Sequence, residues 1–305
     1  MVGPRLGFIG FGEASAAIAL GLHEAGHNNC SAYDKMQTKP KYSNQILQRA
    51  IASKTIIKKD MASLVAGCDI IISSVTATSA LRVATEVREY IQKGQFFLDI
   101  NSVSPETKKK IASLFNRYEK LLFVEVAVMA ALPTLKHKTP MLVCGPNVPY
   151  FIKTVKDFNF NLTDVGCEFG RASSIKMFRS IIVKGIEAVL QESMLGAYAC
   201  GVSDLVLKSL QNSYPGIDWE NLTSYLLGRT ILHGERRAAE MREASATLEK
   251  FGIEPIISKA AADRIQIGAT TMNDKNYSQK LPDHYLEILD ILNSYENHIT
   301  SKTKS

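Results

Sequence analysis

The stretch Gly7-Phe8-Ile9-Gly10-Phe11-Gly12-Glu13-Ala14-Ser15 limits what this chain can fold into more than any other. The apolar run Leu6–Ile9 reads as a buried strand, and residues 14–25 carry the period of an amphipathic helix. A strand that turns through glycines into a helix opens a βαβ unit, and the helix N-terminus it creates is suited to an anion. Gly10 can make the tight turn, and Gly12 lets the helix end approach a pyrophosphate, with Phe11, Glu13 and Ala14 completing the loop. The pattern is G-x-G-x-x-S, so Ser15 stands where a third glycine would allow close helix–strand packing. Asp34, 22 residues beyond Gly12 at the end of the apolar run Cys30–Tyr33, is placed to accept hydrogen bonds from both adenosine ribose hydroxyls. Such a carboxylate repels a 2′-phosphate and favours NAD. Lys35, Lys39 and Lys41 follow closely enough to neutralise that phosphate, which keeps NADP open. Without its neighbours the loop is also a plain βα turn, and Asp34 a plain turn residue.

The next segments repeat the alternation. Strands are expected at residues 55–57, 70–75, 96–100 and 123–128, with further edge strands at 140–144 and 161–165 and a helix at 79–91. Alternation of this kind predicts an α/β fold with a doubly wound, parallel, Rossmann-type sheet. After Gly166 strand patterns cease, and helical periods follow, separated by Pro215-Gly216, Gly252–Pro255 and Pro282. The expected organisation is a dinucleotide-binding domain over residues 1–165 and an all-α domain over 166–305, an ordinary division for 305 residues.

Composition narrows the function classes. The net charge of +6 is modest, and basic helices interleaved with aromatics are not evident, which argues against nucleic acid and suits a small anionic substrate. Lys108, Lys109 and Lys110 read as solvated surface. Five scattered cysteines without a CxxC pair argue against a disulfide framework and a metal site, and with the lack of a signal-peptide pattern point to the cytoplasm. The longest apolar stretch, residues 181–200, is broken by Lys184, Glu187 and Glu192 and reads as no membrane span.

Three further stretches resemble the β-hydroxyacid dehydrogenases. Phe97-Leu98-Asp99-Ile100-Asn101-Ser102-Val103-Ser104-Pro105 is similar to the strand and loop beneath the nicotinamide in that family, and Gly166, Gly170 and Lys176 to its glycine-rich catalytic helix start. His233-Gly234-Glu235-Arg236-Arg237-Ala238-Ala239-Glu240-Met241 resembles the C-terminal helical domain, of DUF1932 type, of a branch related to 6-phosphogluconate dehydrogenase. The resemblance implies a cofactor at Val75 and Asn101 as well as at the glycine loop, and Lys176 as general acid/base. A lysine amine can serve if burial or a neighbouring cation depresses its pKa. The sequence departs from the family in three places. Ser180 replaces an asparagine four residues after the lysine, Met129-Ala130-Ala131 replaces a serine and two small residues in the substrate loop, and the lysine of a cofactor motif is absent at Ala239-Glu240-Met241.

Arg236 and Arg237 lie one turn earlier and can supply a cation, Arg237 toward substrate; Arg236 is equally placed to pair with Glu240. His137 and His233 are left undecided. Ser173, Lys176, Ser180, Lys184 and Glu187 form one polar stripe on a helix whose Ile175, Met177, Phe178, Ile181, Ile182 and Val183 call for burial; the stripe faces either a cleft or water. The apolar remainder of that helix, residues 173–201, and the family habit point to a homodimer. The expected activity is NAD(P)-dependent hydride transfer to or from a small 3-hydroxy acid or related secondary alcohol. Imine reduction on the same scaffold, or non-catalytic nucleotide sensing, are the alternatives.

Overall fold

Runs of Ile, Val, Phe and Leu too short for helices become strands in the computed structural model, which describes residues 3–115, 122–273 and 283–303. Pro282 lies outside these residues. The strands are β1 (Leu6–Ile9), β2 (Cys30–Tyr33), β3 (Ile56–Ile57), β4 (Ile70–Ser73), β5 (Phe96–Asp99), β6 (Leu122–Val128), β7 (Met141–Cys144) and β8 (Leu162–Asp164). They form one sheet in the order β3-β2-β1-β4-β5-β6-β7-β8. Every neighbouring pair is parallel except β6 and β7, where Glu125 faces Cys144 and Val128 faces Met141. The order β3-β2-β1-β4-β5-β6 is that of a doubly wound nucleotide-binding sheet.

Between the strands run α1 (Glu13–Glu24), α2 (Pro40–Ala52), α3 (Met61–Ala66), α4 (Ala77–Val87), α5 (Pro105–Phe115), α6 (Leu132–Leu135) and α7 (Val148–Thr154). Because β1, β4 and β5 are buried on both faces, their side chains feed two cores. Phe8, Ile72, Leu98 and Val126 pack with Ile18 and Leu22 of α1 and Phe151 of α7. Ile9, Ile71, Phe97 and Phe123 pack on the other face with Leu64 of α3, Val83 and Val87 of α4, and Ile111 of α5. Val75 and Ile100, expected inside strands, lie just beyond β4 and β5 in the loops at their C-terminal ends.

The remaining elements are helices: α8 (Arg171–Ala199), α9 (Ser203–Ser213), α10 (Trp219–Lys250), α11 (Ile256–Asn273) and α12 (Tyr285–Thr303). The chain divides into two compact units, Met1–Lys176 and Met177–Ser305. The division falls inside α8, whose first turn is tied to β6: the Glu125 carboxylate accepts hydrogen bonds from the backbone N–H groups of Gly170 and Ser173.

In the second unit α10 and α11 approach closely where side chains are minimal. A Cβ on Gly234 would lie 2.5 Å from that of Ala269, and one on Gly268 would lie 2.4 Å from Thr230. Met194, Leu227, Ile231, Ile288 and Leu289 form its main apolar cluster. The polar stripe of α8 is buried at Ser173, Lys184 and Glu187 and half-buried at Lys176 and Ser180. Lys184 and Glu187 are buried, whereas Ile182 is 66% and Val189 65% exposed. The burial expected of Ile175, Phe178 and Ile182 is therefore reversed, because ion pairs with α10 occupy the inner face of α8. Among the described residues no helix is long and apolar enough to cross a membrane.

Candidate functional site

The glycine loop ends β1 and starts α1. Gly10 has φ +82°, and a Cβ there would stand 2.3 Å from the Ser74 carbonyl oxygen, so both conformation and space require glycine. Gly12 is the N-cap of α1 and contributes no side chain, and a Cβ added to it would meet nothing within 4 Å. The helix N-terminus thus opens onto free space, as an anion site needs. Phe11 is buried, Ala14 half-buried, and Glu13 exposed in the first turn. Ser15 is fully buried, taking the packing place of a third glycine. Asp34 accepts from the backbone N–H of Phe11 at 2.8 Å and, through its other oxygen, from that of Met36 at 2.8 Å. One carboxylate therefore supports the loop and stands beside it, each oxygen retaining acceptor capacity. The uncapped helix, the glycine turn and this carboxylate fit a dinucleotide.

Val75 and Asn101 are brought together. Asn101 accepts from the Val75 N–H at 2.6 Å, donates to Ser73 Oγ at 3.0 Å, and sends its own N–H to Asp99 Oδ1 at 2.9 Å. Beneath them Lys108 is buried, contrary to the surface position expected of it. Its Nζ donates to the carbonyl oxygens of Asp99 at 2.7 Å and Val126 at 3.3 Å, and lies 3.4 Å from Asp99 Oδ1. Carbonyls in a dry interior need donors, and this ammonium supplies them at the end of β5 and within β6.

Lys176 comes to the same side of this unit: its Nζ donates to Ser102 Oγ at 2.8 Å. Ser102 directly follows Asn101 and is exposed, and sequence reasoning had not singled it out. The residues expected in a substrate loop divide. Met129 packs with Ala127, Cys144 and Ala172, and its N–H is engaged by the Pro140 carbonyl at 2.9 Å. Ala130 and Ala131 are exposed.

Ser180, half-buried, lies on α8 in the second unit, as does Arg237 on α10. The Arg237 guanidinium is 6% exposed and makes two hydrogen bonds to the Glu187 carboxylate, which also accepts from Thr230 Oγ1 at 2.7 Å. Burial holds the Arg237 pKa below its usual value. Arg236 forms the i,i+4 pair with Glu240 at 2.8 Å, and Glu240 also meets Lys184 Nζ at 2.8 Å. Burial lowers the Lys184 pKa, with Glu240 opposing it. His233 is exposed, while His137 is buried against α1, where a Cβ on Gly21 would stand 2.3 Å from its Nδ1.

Residues 5–147 match the NAD binding domain of 6-phosphogluconate dehydrogenase, and residues 197–267 match a domain of unknown function, DUF1932. An uncharacterised 28.5 kDa protein of Methanothermus fervidus is 32% identical over 257 residues, covering 84% of this chain and 95% of that protein. Among solved structures, a conserved hypothetical protein of Sinorhizobium meliloti 1021 is 35% identical with a TM-score of 0.75, covering 97% of each chain. The conserved protein MTH1747, whose structure is described as similar to 3-hydroxyacid dehydrogenases, is 28% identical with a TM-score of 0.67, covering 87% of this chain and 98% of its own.

Proposed function

The chain belongs to the family that joins a 6-phosphogluconate dehydrogenase-type NAD binding domain to a DUF1932 domain, and from that premise we propose that it oxidises a small 3-hydroxy acid or related secondary alcohol, or reduces the corresponding carbonyl compound, with Lys176 as general acid/base. The observation that carries the reading is the Lys176 amine on Ser102, one residue from the Asn101–Val75 pair and in the same unit as the glycine loop.

Oxidation of a secondary alcohol takes a hydride from carbon and a proton from oxygen. The bound nicotinamide supplies the hydride acceptor. The α1 N-terminus would hold the pyrophosphate, and Asp34 would accept from the ribose hydroxyls, which would favour NAD over NADP. Asn101, fixed at three points, keeps the Val75 loop still, where it would support the nicotinamide end of the cofactor. Lys176 in its neutral form takes the hydroxyl proton and returns it in the reverse direction, and Ser102 orients the amine. Exposed Ala130 and Ala131, with the Met129 N–H already engaged, offer substrate a more apolar wall than a serine would. This favours substrates bulkier or less polar than 3-hydroxyisobutyrate.

The test is a panel of 3-hydroxy acids and secondary alcohols assayed by nicotinamide absorbance with NAD and with NADP. Lys176→Met should lower turnover about 10²–10⁴-fold while calorimetry finds unchanged cofactor binding. Asp34→Asn should move cofactor preference toward NADP. Failure of wild type to bind either dinucleotide, or near-normal turnover of Lys176→Met, defeats the proposal.

A further inference from the structure

We propose that Glu125 is a positioning residue: its carboxylate clamps the first turn of α8 to β6 and so fixes Lys176 to the dinucleotide-binding unit. The inference rests on the acid/base role given to Lys176 above.

Glu125 is the single charged residue of β6, whose other members are Leu, Phe, Val and Ala, and it is 0% exposed. Its two oxygens accept from Gly170 N–H and from Ser173 N–H, the latter at 2.8 Å. Gly170, whose carbonyl accepts the first helical hydrogen bond from Ser174, brings no side chain of its own, so the cap of α8 comes from another element. A buried anion at a helix N-terminus gains from the helix dipole as well as from charge-assisted hydrogen bonds. Beside it, burial and the Glu125 charge push the Cys144 thiol up to about 12, which keeps that neighbour neutral.

The clamp works against a second fixed point. Gly170 has φ +91°, and a Cβ there would lie 2.9 Å from Lys109 Cε and 3.2 Å from the Pro105 carbonyl oxygen. The turn is thereby pressed on the start of α5, directly after the loop that carries Ser102. Lys176 follows one turn beyond Ser173 and reaches Ser102. Because β6 runs on into Met129-Ala130-Ala131, one carboxylate ties the substrate loop, the lysine helix and the nicotinamide-side loop into a single frame. Loss of either clamp bond frees the lysine relative to that frame while leaving the glycine loop and Asp34 untouched.

The experiment compares wild type, Glu125→Gln and Ser173→Pro, with Lys176→Met as reference. Amide hydrogen exchange over residues 168–178 and calorimetric NAD titration are read for each, with turnover on the best substrate of the panel. In Glu125→Gln an amide NH₂ meets one of the two N–H donors, so the first turn of α8 should lose protection. Turnover should fall about 10–100-fold, the scale of a displacement near 1 Å, with KM and NAD affinity within about twofold of wild type. A merely structural role would instead weaken NAD binding and exchange protection across the whole unit. If Glu125→Gln fails to fold, Ser173→Pro carries the test. It deletes the Ser173 N–H donor, one of the first-turn donors that make no intrahelical bond, and the same local loss is expected. Wild-type exchange over residues 168–178, or wild-type turnover in a variant when Lys176→Met is dead, overturns the clamp. Persistent turnover of Lys176→Met overturns the acid/base reading instead, and the exchange result then stands by itself.

Discussion

Replacing Arg237 by methionine separates a substrate-binding arginine from a structural one. Glu187 is 0% exposed and accepts three hydrogen bonds, two from Arg237 and one from Thr230. Arg237→Met removes two of these and leaves a buried carboxylate with one donor, a change that costs about 3–5 kcal/mol. With a urea slope of about 2 kcal/mol per molar, the midpoint of the helical unit should fall by about 1.5–2.5 M. Circular dichroism at the helix minimum follows this directly, and hydrogen exchange in α8 and α10 assigns the loss to that unit. The double variant Glu187→Leu/Arg237→Met removes both charges and should recover most of the stability, because a well-packed apolar pair often equals a buried ion pair. An Arg237→Met protein with the wild-type midpoint and a raised KM would refute the structural assignment and return this guanidinium to the substrate.

His137 makes stability depend on pH. Burial lowers its pKa from 6.5, with Lys138, His27 and Lys136 acting in the same sense and Glu24 against them. The unfolded chain then binds more protons than the native state below about pH 6.5, so stability is complete above that value and declines as pH falls toward the folded pKa. His137→Gln should flatten the decline measured by thermal melts between pH 7 and 5; an unchanged slope would clear His137. Ile182 and Val189, both about two-thirds exposed on α8, should pack against a second copy of the chain. Light scattering should report a dimer at micromolar concentration and a folded monomer for Ile182→Glu/Val189→Glu. A wild-type monomer would exclude this interface.

The sheet was legible because its strands are short β-branched and aromatic runs between turn residues, and all eight strand positions could be read to within a few residues. The glycine loop and Asp34 were legible for the same reason that they fit a dinucleotide: chemistry fixes their spacing. Lys108 was not. Three consecutive lysines look like a solvated surface, yet successive helix positions point about 100° apart, so one of three can turn inward. Glu125 did leave a signal, a single charge inside an apolar strand, but its partners Gly170 and Ser173 are 45 and 48 residues away and only the fold brings them to it. Periodicity separated the faces of α8 only in part, since Met177 is buried while Ile175, Phe178 and Ile182 are exposed. It could not say which face was inner, because that depends on Glu240 and Arg237 from a distant helix.

That the two units part within α8, after Lys176, bears on how such chains can be recombined. A graft that exchanged the C-terminal half at the expected border near residue 165 would carry the lysine away with the incoming helices and strand Glu125 without its two donors. A join made beyond Lys176 keeps lysine, Ser102 and Glu125 as one inherited block. The helices that follow then become the interchangeable part, replaceable while the block that holds Lys176 against Ser102 stays intact.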